Sequence, residues 1–318
     1  MSILGGIVGF GVVFVLVTLV ASALGGGVLA SAARALAARG PAAERRAAAL
    51  AAVIPPLVGA AVVAALLLHS VTSVDHCQAH DHHAHLCVAH GGAWLARPWA
   101  VAVAAAAFVI TVGRATLLLA TLVAAHARVQ ALASVAHAVD DVRVVDSPRW
   151  FCFVAGARRP TIYASTSALC ALTDDERAAM LAHERAHVQA RDVLWKRLLT
   201  AATLAAAPLV RGFVLARWDD ATERLRDRDA ARVTDPTAVA HALLAMCRGN
   251  VVAVAGLGYA PGPSALARRI TSVLTPPADE RGTPRRLAVV AGAAGVAAAL
   301  VLVTCADPIH HAFETLLG

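Results

Sequence analysis

Thr173-Asp-Asp-Glu-Arg-Ala-Ala-Met-Leu-Ala-His183-Glu184-Arg-Ala-His187-Val-Gln-Ala-Arg-Asp192 is the stretch on which the rest of the chain depends. At its centre stands an H-E-x-x-H pentapeptide. Residues four apart share one face of a helix, so the imidazoles of His183 and His187 can grip one Zn²⁺ while Glu184 serves as general base. The surroundings predict that helix. Thr173 followed by Glu176 is a capping-box pattern, Asp174 and Asp175 suit the positive end of the helix dipole, and Ala178 to Ala182 are strong helix formers. The bland alternative is a surface helix with two idle histidines.

Outside this stretch the chain is strongly apolar. Of its 318 residues 58% are hydrophobic and only 15% charged, with mean hydropathy +0.66. That balance excludes an ordinary soluble domain and predicts an integral membrane protein. The net charge of +7 comes almost wholly from arginine, since Lys196 is the sole lysine. The arginines flank apolar runs, so membrane topology accounts for them and no direct nucleic-acid binding is expected. The six cysteines form no C-x-x-C pair, which argues against a cysteine-type zinc finger.

Hydropathy predicts about four transmembrane helices. The first covers about 3–30, with no basic n-region of a cleaved signal peptide before it. The second covers 47–68, with Pro55-Pro56 as a kink, and the third 98–125. The fourth covers Leu287–Thr304, where Gly292 and Gly295 suit close packing. Arg114 interrupts the third run, so it must snorkel or face protein. The arginines of 34–46 and the basic stretch 127–286 mark both as cytoplasmic, leaving the N-terminus, the loop 69–97 and the tail outside. The expected organisation is a membrane region 1–126, a cytoplasmic domain 127–286, and a last helix with a short external tail, 287–318. The fold class is therefore mainly α and membrane-integral, with an α+β domain inserted between helices 3 and 4.

Within that domain, 128–139 reads as an amphipathic helix. Val142–Val145, Phe151–Val154 and Thr161–Tyr163 read as strands of a small antiparallel sheet. An open edge of such a sheet beside a metal could hold a peptide in extended form. Residues 198–216 read as a helical excursion at or partly in the membrane, and 259–284 as loops returning the chain to the bilayer.

A hydrolytic zinc site needs a third protein ligand. Glu223 and Asp227 lie four apart on a predicted helix, so one can ligate while the other accepts the spare N–H of a ligand histidine. Spacing alone leaves Glu223, Asp227 and Asp229 in competition, against a plain alternative of a solvated helix laced with ion pairs. Tyr163, His241 and several arginines are available to stabilise an oxyanion.

Two segments then carry a resemblance: Phe153-Val-Ala-Gly-Ala-Arg-Arg-Pro-Thr-Ile-Tyr-Ala-Ser165, and Leu-Ala-His-Glu-Arg-Ala-His-Val with Asp192 after it. They resemble the BlaR1/MecR1-type membrane metallopeptidases (family M56), relatives of the Ste24/HtpX-type (M48) gluzincins. Both groups have a third-ligand segment E-x-x-x-D-x-x-A, matched here by Glu223, Asp227 and Ala230. The resemblance implies a zinc endopeptidase of the bacterial cytoplasmic membrane, with His183, His187 and Glu223 as ligands and Asp227 behind them. It also implies a protein substrate, for the signalling members a transcriptional repressor. About a dozen residues follow the fourth helix, so no penicillin-binding sensor domain is expected. The competing readings are an HtpX-like quality-control protease and a non-enzymatic metal sensor. The last would use the outer cluster of Cys77, His80, His82, His83, His85 and Cys87, read either as a disulfide-closed hairpin with solvated histidines or as a Zn²⁺ or Cu²⁺ site.

Overall fold

A computed structural model describes residues 3–72, 98–248 and 263–275. Its first part is apolar helix. The elements are α1 (Ile3–Ser31), the short α2 (Ala33–Ala38), α3 (Pro41–Thr72) and α4 (Pro98–Val135). Val8–Ser31, Pro41–Leu68 and Val101–Val135 are each long and apolar enough to cross a membrane. Large apolar side chains such as Val20, Leu24, Phe108 and Leu117 face outward on them, as a lipid-facing surface requires. The fourth apolar run, 287–304, and the His/Cys cluster of 77–87 lie outside the described residues.

Two expectations are corrected here. The second helix begins at Pro41, not near 47, so Glu44, Arg45 and Arg46 are helical. Proline is well suited to a first helical position, and Gly40, at φ 91°, makes the reversal just before it. Pro55 and Pro56 are carried within the helix. In addition, the segment 128–139 is no separate helix. It continues α4 to Val135, and His137–Val139 is already a strand. At 38 residues α4 is roughly 57 Å long, against about 30 Å of hydrocarbon, so it extends well past the span.

The first two long helices pack through Phe10, Val13, Val62 and Leu66. Gly59 makes the contact possible, because a Cβ there would stand 2.5 Å from Thr18 Oγ1 and 3.0 Å from the carbonyl oxygen of Phe14.

The second part is a four-stranded sheet, β1 (His137–Val139), β2 (Val142–Val145), β3 (Cys152–Ala155) and β4 (Thr161–Ser165), in the order β1-β2-β4-β3. It is mixed, not wholly antiparallel. The β3–β4 hairpin inserts β4 between β2 and β3, so β2 and β4 run parallel, with Val142 opposite Ile162. Gly156, at φ 94°, turns that hairpin where a Cβ would stand 2.4 Å from the carbonyl oxygen of Arg159.

Alternation along the strands divides the faces. Val142, Val144, Val154, Ile162 and Ala164 point to one face, against Leu181, Val188 and Val193. Val145, Phe153 and Tyr163 point to the other, against Val129 and Leu132 of α4.

After α5 (Thr166–Ala171) come α6 (Asp174–Ala190), α7 (Asp192–Ala202), α8 (Pro208–Ala231), α9 (Pro236–Arg248) and α10 (Pro263–Leu274). The stretch 259–284 is thus corrected, since its centre is a helix. Residues 198–216 form the end of α7, a turn and the start of α8. Leu199, Val214 and Trp218 are buried against Leu29 of α1 and Ala48 and Ala52 of α3. Arg114 of α4 donates to the turn carbonyls of Leu204 (2.7 Å) and Ala206 (2.6 Å). It therefore faces protein and satisfies two carbonyl oxygens of the turn between α7 and α8.

Candidate metal centre

The helix predicted around the pentapeptide forms with its cap complete. Thr173 Oγ1 accepts from the Glu176 N–H and Glu176 Oε2 accepts from the Thr173 N–H. On α6, His183 and His187 lie side by side, their ring centroids 4.8 Å apart and their Nε2 atoms 3.1 Å apart. The helix ends at Arg191, which takes a left-handed conformation (φ 53°). That reversal starts α7 at once and carries Asp192 back toward the helix it has just left. Asp192 Oδ2 stands 2.9 Å from His187 Nδ1.

The third side chain comes from α8, which packs against α6. Glu223 Oε2 lies 3.6 Å from His183 Nε2, and its Oε1 lies 3.7 Å from His187 Nε2. One turn on, Asp227 Oδ1 lies 2.9 Å from His183 Nδ1. Each imidazole therefore has a carboxylate at Nδ1 and turns Nε2 toward Glu223.

His183, His187 and Glu223 form a group whose ligand atoms all lie within 4.8 Å of one another. Ligands about 2.0–2.1 Å from a tetrahedral zinc stand roughly 3.3 Å apart, so the observed 3.1, 3.6 and 3.7 Å bracket that spacing. Two imidazoles and one carboxylate are also the donor set of a hydrolytic zinc site, and the carboxylates at Nδ1 are the outer partners such ligands use. The residues fit Zn²⁺. The three side chains are mostly buried, at 13%, 14% and 19% exposure.

The electrostatics are dominated by buried carboxylates and two buried arginines. Burial opposes charge on Asp227, but the Arg269 guanidinium overrides it and holds the carboxyl well below its usual range. Arg269, from α10, grips Asp227 with Nε and Nη2, both at 2.7 Å, and reaches Glu223 Oε2 with Nη1 at 3.0 Å. Glu223 is likewise held down, against its burial, by Arg269 and then by the two histidines. Burial resists charging of Asp192 too, yet the His187 and Arg226 hydrogen bonds bring its pKa down to about 2. For His187, burial disfavours the cation, while Asp192 and then Glu223 and Glu184 outweigh it and raise the pKa. Glu184 is half-buried, and its charge adds to the desolvation that raises the Cys152 thiol on β3.

The structure thus brings His183, His187, Glu223 and Asp227 together, with Glu184 next to His183 on the same helix. Asp229 is elsewhere, paired with Arg226 and Arg232. Tyr163 is corrected as an oxyanion candidate, because strand alternation turns its side chain to the face opposite α6, where it stacks on Phe153. His241 is exposed on α9. Among the arginines, Arg269 alone touches Glu223 among the described residues. Arg226, Arg269 and the role of Asp192 were not legible beforehand. The one available signal for Asp192 was its place directly after the motif helix.

Residues 119–250 match the family model of Peptidase family M48. The match runs from within α4 to just past α9, so it includes His183, His187 and Glu223 but neither α3 nor α10. Members of that family are zinc-dependent metallopeptidases. No curated protein and no solved structure matches the chain.

Proposed function

We propose that the chain is a membrane-anchored zinc endopeptidase that cuts a cytoplasmic or membrane-proximal protein, in a regulatory role like that of the M56 signalling peptidases. The observation that carries this reading is the convergence of His183 Nε2, His187 Nε2 and Glu223 within 3.1–3.7 Å, each histidine backed by its own carboxylate.

His183, His187 and Glu223 would hold the ion and Glu184 stands beside them. A zinc bound there would supply Lewis acidity and lower the pKa of a water. Glu184 accepts the proton from the attacking water and passes it to the leaving amine. Asp227 and Asp192 fix the two imidazoles so that Nε2 of each stays turned to the centre. The outer strand β3 pairs only with β4 among the described residues. Its free edge, on a strand that packs against α6, can take an extended peptide by strand addition. The arginines of 34–46 and the basic charge of the domain support a cytoplasmic position.

Full-length protein in detergent, given a fluorescently labelled unfolded protein, tests the enzymatic claim. Cleavage that a chelator stops, Zn²⁺ restores and Glu184→Gln abolishes supports it. Equal cleavage by wild type and Glu184→Gln refutes it. Comparing the proteomes of cells carrying the two forms then separates a regulator from a quality-control protease. One or a few stabilised proteins support regulation, and broad accumulation of membrane proteins contradicts it.

A further inference from the structure

The first turn of α3 sits against the back of the metal centre. Arg45 Nη2 donates to Asp192 Oδ1 at 2.6 Å, and its Nε donates to Thr222 Oγ1 at 3.1 Å. Its guanidinium lies over Trp218, 5.1 Å from the ring. Asp192 is the partner of His187, and Thr222 is the neighbour of Glu223. One side chain of a membrane helix therefore reaches behind two of the three candidate ligands, which come from different helices.

The carboxylate of Asp192 is shared. Its Oδ2 takes His187 Nδ1 at 2.9 Å and Arg226 Nε at 2.6 Å. Its Oδ1 has Arg45 at 2.6 Å and only a long contact, 3.3 Å, from Arg226 Nη2. Without Arg45 the Oδ1 side keeps only the long Arg226 bond, so the carboxylate is held less firmly against His187.

A charge-assisted bond of this length is strongly directional, and the α-helical rise is about 1.5 Å per residue. Sliding α3 by a single residue would therefore break it. The neighbouring Glu44 is bound separately, to Arg217 (3.2 Å) and Arg224 (3.0 Å) of α8. It docks the same turn of α3 without touching Asp192.

We infer that Arg45 is a positioning residue for the metal centre, tying the second membrane helix to His187 through Asp192 and to Glu223 through Thr222. The inference rests on the zinc-site reading above, and it lies outside the M48-matched segment. It makes the affinity of the centre for zinc depend on where α3 sits in the bilayer, which gives the membrane part a direct hold on the site.

The test is zinc affinity, measured by chelator competition on full-length protein in detergent, with thermal stability followed in parallel. The set is wild type, Arg45→Ala, Arg45→Lys, Glu44→Gln, Arg46→Ala, Asp192→Asn and Arg45→Ala/Asp192→Asn. Outer partners of metal ligands are typically worth about 10–100-fold in affinity. Arg45→Ala should weaken zinc roughly tenfold, the lower end of that range, and Arg45→Lys should recover part of the loss. Arg46 is exposed, and Arg46→Ala should bind as wild type does. In the Asp192→Asn background Arg45→Ala should add little, because its route is already cut.

Three results overturn the inference: unchanged affinity in Arg45→Ala, additive losses in the double variant, or an equal loss in Glu44→Gln. The last would mean that any loosening of α3 suffices. Failure of wild type to bind zinc would remove the zinc-site reading and this inference with it.

Discussion

Replacing Arg269 by Met removes the cation that holds two buried carboxylates. Asp227 is fully buried and Arg269 8% exposed at the side chain, and three contacts of 2.7, 2.7 and 3.0 Å join Arg269 to Asp227 and Glu223. Breaking a buried pair on one side costs roughly 3–5 kcal/mol, because the remaining charge has neither water nor partner. Met keeps length and helix propensity, so the loss is electrostatic.

The assay is thermal unfolding of the metal-stripped full chain in detergent, from pH 7.5 to pH 4. The folded pKa of Asp227 is depressed. Its contribution is therefore present above the unfolded value of about 3.9 and is lost as pH falls below it. In wild type that contribution stays whole down to about pH 4. In Arg269→Met the buried Asp227 has lost its cation, so burial raises its pKa and it takes up a proton on acidification; the deficit should therefore be full at pH 7.5 and shrink toward pH 4. Zn²⁺ should narrow it at neutral pH by supplying positive charge to Glu223. If the variant melts with wild type at pH 7.5, or its deficit grows as the solution is acidified, the assignment of Arg269 as counter-ion is wrong.

Other expectations follow from the same contacts. Glu184→Gln should lower peptide cleavage by at least about 100-fold, the range for loss of a general base, while metal content and melting temperature stay at wild-type values. Zinc retention should fall on acidification beginning above pH 6.5, since the raised pKa of His187 lets protons compete earlier than for a free imidazole; chelator titrations at several pH values read this directly. Gly59→Leu should destabilise the α1–α3 pair by about 1–3 kcal/mol or more, as overpacking does, with its first added carbon already 2.5 Å from Thr18 Oγ1; a melt in detergent would show it.

Much of the centre was readable because helical spacing is rigid. Four-residue steps place His183 with His187 and Glu223 with Asp227 without any tertiary knowledge, and the Thr173–Glu176 cap is purely local. What escaped reading depends on contacts between distant parts. The buried stripe of α10 is Ala265, Arg269, Ser272 and Val273. It has the helical period, but two of its four members are polar, so an apolar pattern does not reveal it. Pro261, Gly262 and Pro263 suggest a loop, yet Pro263 sits at a helix start where proline is accepted.

The parallel pairing of β2 with β4 was hidden for another reason. Three short strands in sequence suggest a meander, and only the third dimension shows β4 inserted between its predecessors. The return of Asp192 depends on a left-handed Arg191, a conformation that a residue with a side chain seldom signals in advance. The charged start of α3 looked like a loop because Glu44 and Arg45 find their partners only on α7 and α8, almost 150 residues or more along the chain.

Metal analysis of the purified full-length protein bears most directly on all of this. Wild type should hold one Zn²⁺ per chain after dialysis, while His183→Ala, His187→Ala and Glu223→Ala should each hold far less and Asp229→Ala should hold as much as wild type. Zinc absent from wild type, or present at full stoichiometry after any of the first three substitutions, would contradict the assignment of His183, His187 and Glu223 as its ligands.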